Sequence, residues 1–461
     1  MVTSGINLLE KWKEKKEMKK ILVVMLALAM LLTVVGCTQT TSQPTSATTA
    51  PSGTTQTPAE KTVVKVGVLL PLSGSVASQG LLMKMGLDAC LEYFNKEVGF
   101  KNLQNVEIEL VYADSESSPD VGQAEFEKLV SVEKVVAVLG SYQSSVSGPS
   151  ATLANKYKIP YVIINSISDA ILKENANYVF RPCVGTFSQE ASQQAWLTAL
   201  SKIKPIKTLG FVGSADDYGS GNLVSFTRIT EALGIEIVVK DQVQSGVADM
   251  SGTVQKLKAA NVDAVLASLQ LNEALLFQKQ MKEYKVNIPT LALGGGYMDT
   301  TFLSSAGDTA EYVISSSAWI PDILNSLSPA AQQYAERMKQ IGNGVNPSET
   351  SCNSWLALGI TLDALDRAGK TDSESLAKAL DVTDFGPEHW ANMYNKHKSV
   401  KFEDGPLPDG TMMYNQNFGA SLQFGQIQNG AWKLVGPFDI AGAYGSATNP
   451  LVWPAPDWDA R

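Results

Sequence analysis

Val63-Val64-Lys65-Val66-Gly67-Val68-Leu69-Leu70 is an apolar run broken by a single charge, and it reads as a strand covered on both faces. A strand with one wet face would alternate apolar and polar residues, and this one does not. Working outward, Pro71 to Gly80 forms a loop, and Leu87, Cys90, Leu91 and Phe94 then recur at helical spacing. Val106, Ile108, Leu110 and Tyr112 alternate as a second strand. Pro119 can open a helix that carries Ala124, Leu129 and Val130. A strand (Val135 to Leu139), a helix (about Ser147 to Tyr157) and a strand (Tyr161 to Ile164) follow. This succession predicts βαβ units, hence a parallel sheet with helices on both faces.

The series then restarts. Thr208 to Val212, Ile235 to Val239 and Ala264 to Ala267 read as strands, separated by helices at Gly221 to Leu233 and Gly252 to Ala260. Glu273 to Tyr284 reads as a further helix. Two successive α/β units of similar size predict two lobes of like architecture. Asp381 to Gly410, with its aromatics, Pro and Gly, fits neither period.

Upstream lies an export signal. Lys19 and Lys20 precede the uncharged run Ile21 to Val35, and Val34-Val35-Gly36-Cys37 is similar to the lipobox of bacterial lipoproteins. Residues 18–36 therefore read as a lipoprotein signal peptide and Cys37 as the lipidated residue. The alternative is a transmembrane anchor, for which the run falls short of the roughly 20 apolar residues needed. Met18 is a second plausible start besides Met1. Residues 37–61 are dominated by Thr, Ser, Gln, Pro, Ala and Gly and are expected to be a disordered tether.

The chain carries a formal charge of -9; six Lys and three Glu precede Cys37, which leaves -12 from Cys37 onward. An acidic body argues against nucleic acid and anionic lipid surfaces as partners. Cys90, Cys183 and Cys352 show no C-x-x-C spacing, so neither a metal knuckle nor a disulfide scaffold is indicated. Spacing leaves open whether Cys183 and Cys352 pair.

In open α/β sheets, ligands bind beyond the carboxyl ends of the strands. That rule selects Gly140-Ser141-Tyr142-Gln143-Ser144-Ser145, Asn165-Ser166-Ile167-Ser168-Asp169, Gly213 to Gly219, and Leu269-Gln270-Leu271-Asn272. Hydroxyls and free N–H groups of Ser144 and Ser145 at a helix start can hold an anion, or one of the two serines is simply an N-cap. Tyr218 can close over a solute or stand as a surface tyrosine. Asp216 and Asp217 read as solvated loop charges, and Gly294-Gly295-Gly296 as a backbone turn. No nucleophile elbow, P-loop or dinucleotide fingerprint is present, and His389 and His397 lack a companion carboxylate motif. The residues thus predict a binding protein with no cofactor and no metal, leaving an extracytoplasmic enzyme as the weaker alternative.

Several segments resemble one family in order and spacing. They are Val66 to Gly74, Gly86 to Asn95, Asp120 to Val130, Val138-Leu139-Gly140 with Ser144-Ser145, and Ile159-Pro160-Tyr161-Val162. Tyr178-Val179-Phe180-Arg181, Asp217-Tyr218-Gly219 and Leu257 to Val265 complete the set. Over nearly all of residues 62–461 the chain resembles the branched-chain amino-acid-type (Leu/Ile/Val-binding-like) periplasmic binding proteins, the solute receptors of ABC importers. The resemblance implies a type I fold: two Rossmann-like lobes joined by three hinge crossovers and closing like a flytrap. Lobe 1 would combine 62–182 with 317–418, and lobe 2 would combine 183–316 with 419–461. Ser144 would hold a ligand carboxylate; Ser145, Asn165, Ser166, Ser168, Tyr218, Gln270 and Gln79 would add contacts. Implied partners are a small polar solute (amino acid, amide or carboxylate), an ABC permease with its ATPase, and the membrane through Cys37. A monomer is expected, on the outer face of the cell membrane or in a periplasm. A sensor of the same fold is the alternative.

The chain departs from the family at several points. Gln79 and Gln270 replace aromatics typical of amino-acid binders. Gly295 stands where relatives carry the carboxylate that holds an α-ammonium. Either Asp299 or another acid substitutes, or the solute is not an α-amino acid. Ser117 and Gln143 occupy positions where relatives have cysteines.

Overall fold

The computed structural model describes residues 61–173, 177–320, 329–341, 347–392, 399–420, 422–436 and 449–461. The signal peptide and Cys37, and all of the tether but Lys61, lie outside the described residues.

The opening run forms strand β1 (Thr62–Leu70), in which Val66, Val68, Leu69 and Leu70 are fully buried. Burying each such side chain contributes about 1.5–3 kcal/mol. Helix α1 (Ala77–Tyr93), β2 (Val106–Asp114), α2 (Pro119–Ser131), β3 (Val138–Gly140), α3 (Ser144–Tyr157), β4 (Tyr161–Ile163) and β5 (Val179–Phe180) follow. Pro119 occupies the first turn of α2, and Ser118 caps it by accepting from Val121 N. The five strands form a parallel sheet in the order β2-β1-β3-β4-β5. The order reverses at β1, which opens a crevice beyond the carboxyl ends of β1 and β3.

A second sheet repeats the plan. Its elements are α4 (Glu190–Ile203), β6 (Thr208–Ser214), α5 (Asp217–Leu233), β7 (Glu236–Val243), α6 (Ser251–Ala260), β8 (Ala264–Ser268), α7 (Leu271–Glu283), β9 (Thr290–Ala292), α8 (Phe302–Ala306) and β10 (Ile314–Ser317). The chain then leaves this sheet for α9 (Pro329–Ile341), α10 (Glu349–Ala368) and α11 (Ser373–Asp381). Short strands β11 (Asp384–Phe385), β12 (Val400–Lys401) and β13 (Glu403–Pro406) occupy part of the segment that fitted neither period, and β14 (Met412–Gln416) follows it. It returns as β15 (Gln423–Gln428), β16 (Ala431–Gly436) and β17 (Asn449–Pro450), giving the order β17-β16-β15-β10-β9-β8-β6-β7. The strands from β6 to β10 are parallel and β15 is antiparallel to β10. The reversal here falls at β6.

These are two Rossmann-like lobes joined by three crossovers: after β5, after β10 and between β14 and β15. Helix α10 belongs with the first sheet, packed along α1. Cys90 Sγ lies 3.4 Å from the Trp355 carbonyl. A β-carbon at Gly86 would come within 2.2 Å of Ser351 O, so only glycine permits this approach.

Two helix starts differ from the sequence expectation. Helix α3 begins at Ser144 and α5 at Asp217, each earlier than the apolar period shows. Asp216 is no solvated loop charge: its carboxylate accepts from Gly219 N at 2.9 Å and from Ser214 Oγ at 2.6 Å, capping α5. Cys90, Cys183 and Cys352 are buried free thiols, so Cys183 and Cys352 do not pair.

Candidate functional site

The carboxyl-end loops of both sheets converge on one cavity with a void of about 60 Å³. Lobe 1 contributes Tyr142, Gln143 and Ser144 after β3, Asn165 and Ile167 after β4, and Glu349, Thr350 and Asn353 from the start of α10. Lobe 2 contributes Gln189, Tyr218, Gln270, Leu293, Gly294, Gly295 and Met298. Cys183 and Val184 come from the first crossover, Leu422 from the third and Ser316 from the end of β10 where the second begins, so hinge motion must change the shape of this void.

Of the eight sequence-predicted contacts, the structure brings Ser144, Asn165, Tyr218 and Gln270 to the cavity. Ser144 is the first residue of α3, whose N-terminus has no side-chain cap and no acid in its first turn. Its Oγ accepts from Ser168 N at 3.3 Å, which ties the β3 loop to the β4 loop. Asn165 Oδ1 accepts from Asn353 Nδ2 at 2.7 Å. Tyr218 presents its ring, while its hydroxyl donates to the Leu293 carbonyl at 2.9 Å.

The other four lie elsewhere. Ser145 is on α3 but off the cavity wall. Ser166 is fully buried in a hydroxyl cluster, 2.6 Å from Ser147 Oγ, which itself lies 2.8 Å from Tyr161 Oη. Ser168 holds Ser144 from behind. Gln79 spans two partners: its Nε2 donates to Asp299 Oδ2 at 2.6 Å and its Oε1 accepts from Thr350 Oγ1 at 2.6 Å. The loop that delivers these residues is anchored by a buried ion pair. Arg181 donates to Asp169 Oδ1 at 2.7 Å and to the Ile167 and Ser168 carbonyls at 2.9 and 2.8 Å. That pair fixes the β4 loop to the first crossover.

The acids are distributed unexpectedly. Asp299 is buried and lies off the cavity wall. Its Oδ2 accepts from Ser78 Oγ at 2.8 Å and from Gln79, both on α1, and its Oδ1 accepts from Thr301. Asp299 is a contact between lobes. Gly295 has φ +57°, and a β-carbon there would sit 2.6 Å from Tyr218 Oη and 2.8 Å from Leu269 O. No side chain, acidic or otherwise, fits at this position without displacing Tyr218. The acid that does line the cavity is Glu349, the first residue of α10. Ser317 Oγ lies 2.7 Å from Glu349 Oε2 and 2.8 Å from Trp319 O, and has one proton to give. Burial pushes the Glu349 carboxyl above its ordinary range, against the smaller effects of Ser317 and the Ala318 N–H.

Glu349, Gln189, Thr350 and Asn353 were missed as cavity residues, and Gln143 lay in a selected loop without being named as a contact. Pro347-Ser348-Glu349 could have found the first: Ser348 caps α10 by accepting from Ser351 N, and an acid follows in the first turn. Gln143, where a relative's cysteine was expected, donates from Nε2 to Ser117 O at 3.3 Å, so the two expected cysteine positions are neighbours joined by a hydrogen bond.

A profile of the family described as periplasmic binding protein matches residues 63–414. The chain belongs to the periplasmic binding protein family. It is similar to Leu/Ile/Val-binding protein homolog 7 of Brucella abortus (strain 2308), 25% identical over 393 residues that cover 82% of this chain and 92% of the relative. Among solved structures it is similar to the branched-chain amino acid transporter substrate binding protein of Streptococcus pneumoniae in complex with isoleucine. That match has a TM-score of 0.67 at 20% identity and covers 80% of this chain and 98% of the other. It is also similar to an ABC transporter solute binding protein of R. palustris in complex with 4-hydroxybenzoate, with a TM-score of 0.65, 20% identity, and 80% and 95% coverage. At that identity the likeness establishes the type I fold. One fold thus holds an aliphatic amino acid in one protein and an aromatic acid in another, so the fold leaves the solute open. The family consists of extracytoplasmic solute-binding proteins rather than enzymes. Among the described residues, no helix is long and apolar enough to cross a membrane.

Proposed function

We propose that this protein captures a small polar organic solute in the cavity between its lobes and delivers it to an ABC permease and ATPase. Lobe 1 is 62–182 with 317–418 and lobe 2 is 183–316 with 419–461. A lipid on Cys37 and the tether, uncharged from Thr38 to Pro58, hold the monomer near its membrane partner. A single acyl chain anchors only marginally, so durable retention needs more than one.

The observation that carries this reading is the convergence of strand-end loops from both sheets, and of segments at the crossovers, on one cavity lined by polar and apolar groups of both lobes. A solute there touches both lobes only when they are closed, so its extra contacts favour closure. Ser144, Asn165, Tyr218 and Gln270 are its proposed contacts. A micromolar dissociation constant corresponds to about 8 kcal/mol, within reach of a few buried hydrogen bonds. Mass spectrometry of molecules released on denaturing the purified protein, followed by calorimetry, tests the reading. A single small solute binding with one-to-one stoichiometry supports it; recovery of a chemically altered solute after incubation contradicts it.

A further inference from the structure

The polar groups around the cavity are unevenly matched. No Lys, Arg or His is among the described cavity-lining residues, yet Glu349 is. Its carboxyl accepts from Ser317 Oγ, a hydroxyl shared with the Trp319 carbonyl, and from the Ala318 N–H, and has no cationic partner in the wall. Two further acceptors in the wall, Gln143 Oε1 and Gln270 Oε1, are buried without a hydrogen-bond partner. A half-buried acid without a counter-charge and two unpaired buried amide oxygens are each costly, and groups of this kind are retained where something else satisfies them. All three are acceptors, so what satisfies them must donate.

We infer that the cavity receives a small solute bearing a positively charged N–H donor group, with Glu349 as its counter-charge and Gln143 and Gln270 as further acceptors. The inference rests on the cavity being the solute site. Glu349 projects from lobe 1 and Gln270 from lobe 2, so the cationic group is gripped from both sides as the lobes close. Size narrows the class. The void of about 60 Å³ is well below the roughly 150 Å³ that accommodates benzene in an engineered cavity, so the closed protein takes a compact aliphatic cation or zwitterion and no aromatic ring.

Binding also moves a proton. Burial pushes the empty-site carboxyl up and an entering cation favours its charged form, so binding shifts this group toward proton release. The neighbouring groups cannot mimic this. Tyr142 and Tyr218 are pushed up by burial, as are the Cys183 and Cys352 thiols.

The test is calorimetry of wild type and Glu349→Gln with glycine, alanine, methylammonium, acetamide, isobutyrate and benzoate in two buffers of different ionisation enthalpy. The expected result is binding confined to amines, with proton release, and at least a hundredfold loss in Glu349→Gln. The thermal midpoint of Glu349→Gln reports folding separately and is expected at or above that of wild type. Tight binding of acetamide, isobutyrate or benzoate by wild type, or amine binding unchanged in Glu349→Gln, overturns the cation inference while the site reading stands. Absence of binding by every solute removes both.

Discussion

The two walls of the cavity use carboxylates in opposite ways. On the lobe 2 side, Tyr218, Leu293, Gly294, Gly295 and Gln270 form an uncharged wall, and the nearby acid, Asp299, is spent on Ser78 and Gln79 of lobe 1. On the lobe 1 side, Glu349 faces the void with the Ser317 hydroxyl and the Ala318 N–H beside it and no cationic partner in the wall. One acid fastens the lobes and the other is left for the solute. Closure and recognition are therefore separable by mutation, although both depend on a carboxylate within the same cleft.

Glu349→Gln carries the largest expected effect. Breaking a buried charge pair by removing one partner costs about 3–5 kcal/mol, so affinity for a cationic solute should fall beyond a hundredfold. The empty protein should respond the other way. The folded-state pKa of Glu349 lies above its unfolded value, so its cost to stability is full above the folded pKa and is relieved as pH falls through it. Melting curves should therefore show Glu349→Gln most advantaged near pH 8, with the gap from wild type closing as the pH is lowered.

Gly295→Ala comes next, at about 1–3 kcal/mol of stability, because the residue sits in the left-handed region with Tyr218 Oη in the way. Chemical denaturation measures it; an unchanged midpoint would mean that the wall yields easily. Asp299→Ala should lower affinity about tenfold for every solute alike, by reducing the population of the closed state. Small-angle scattering should show a more open particle, and a changed solute preference would contradict the division of labour. Ser144→Ala is the smallest, at about 0.5–1.5 kcal/mol, and only for solutes that also carry a carboxylate. Comparing alanine with methylammonium by calorimetry isolates that effect.

Much of this architecture was legible in the chain. Strands such as Thr62–Leu70 and Ala264–Ser268 are mostly apolar runs because both faces are covered over most of their length. The strand-end rule then led to Ser144, Asn165, Tyr218 and Gln270. Ser166 and Ser168 could not be separated from Asn165, because which loop side chain turns toward the void depends on the Ser147 cluster and the Arg181–Asp169 pair, both made at long range. Glu349 escaped for a different reason. Helix α10 is buried almost all round, from Cys352 through Trp355, Leu358 and Leu362, and so shows no apolar stripe to mark it. Gln79, read as part of the loop Pro71 to Gly80 and as a solute contact, lies in the first turn of α1, and its amide reaches Asp299 and Thr350, residues more than two hundred positions away.

The most direct test of the account is a structure of the wild-type protein with a bound small aliphatic amine. The account predicts the solute between the lobes, its cationic nitrogen within about 2.7–3.2 Å of a Glu349 carboxyl oxygen. A solute bound elsewhere, or one that presents a carboxylate or an apolar group to Glu349, would contradict it.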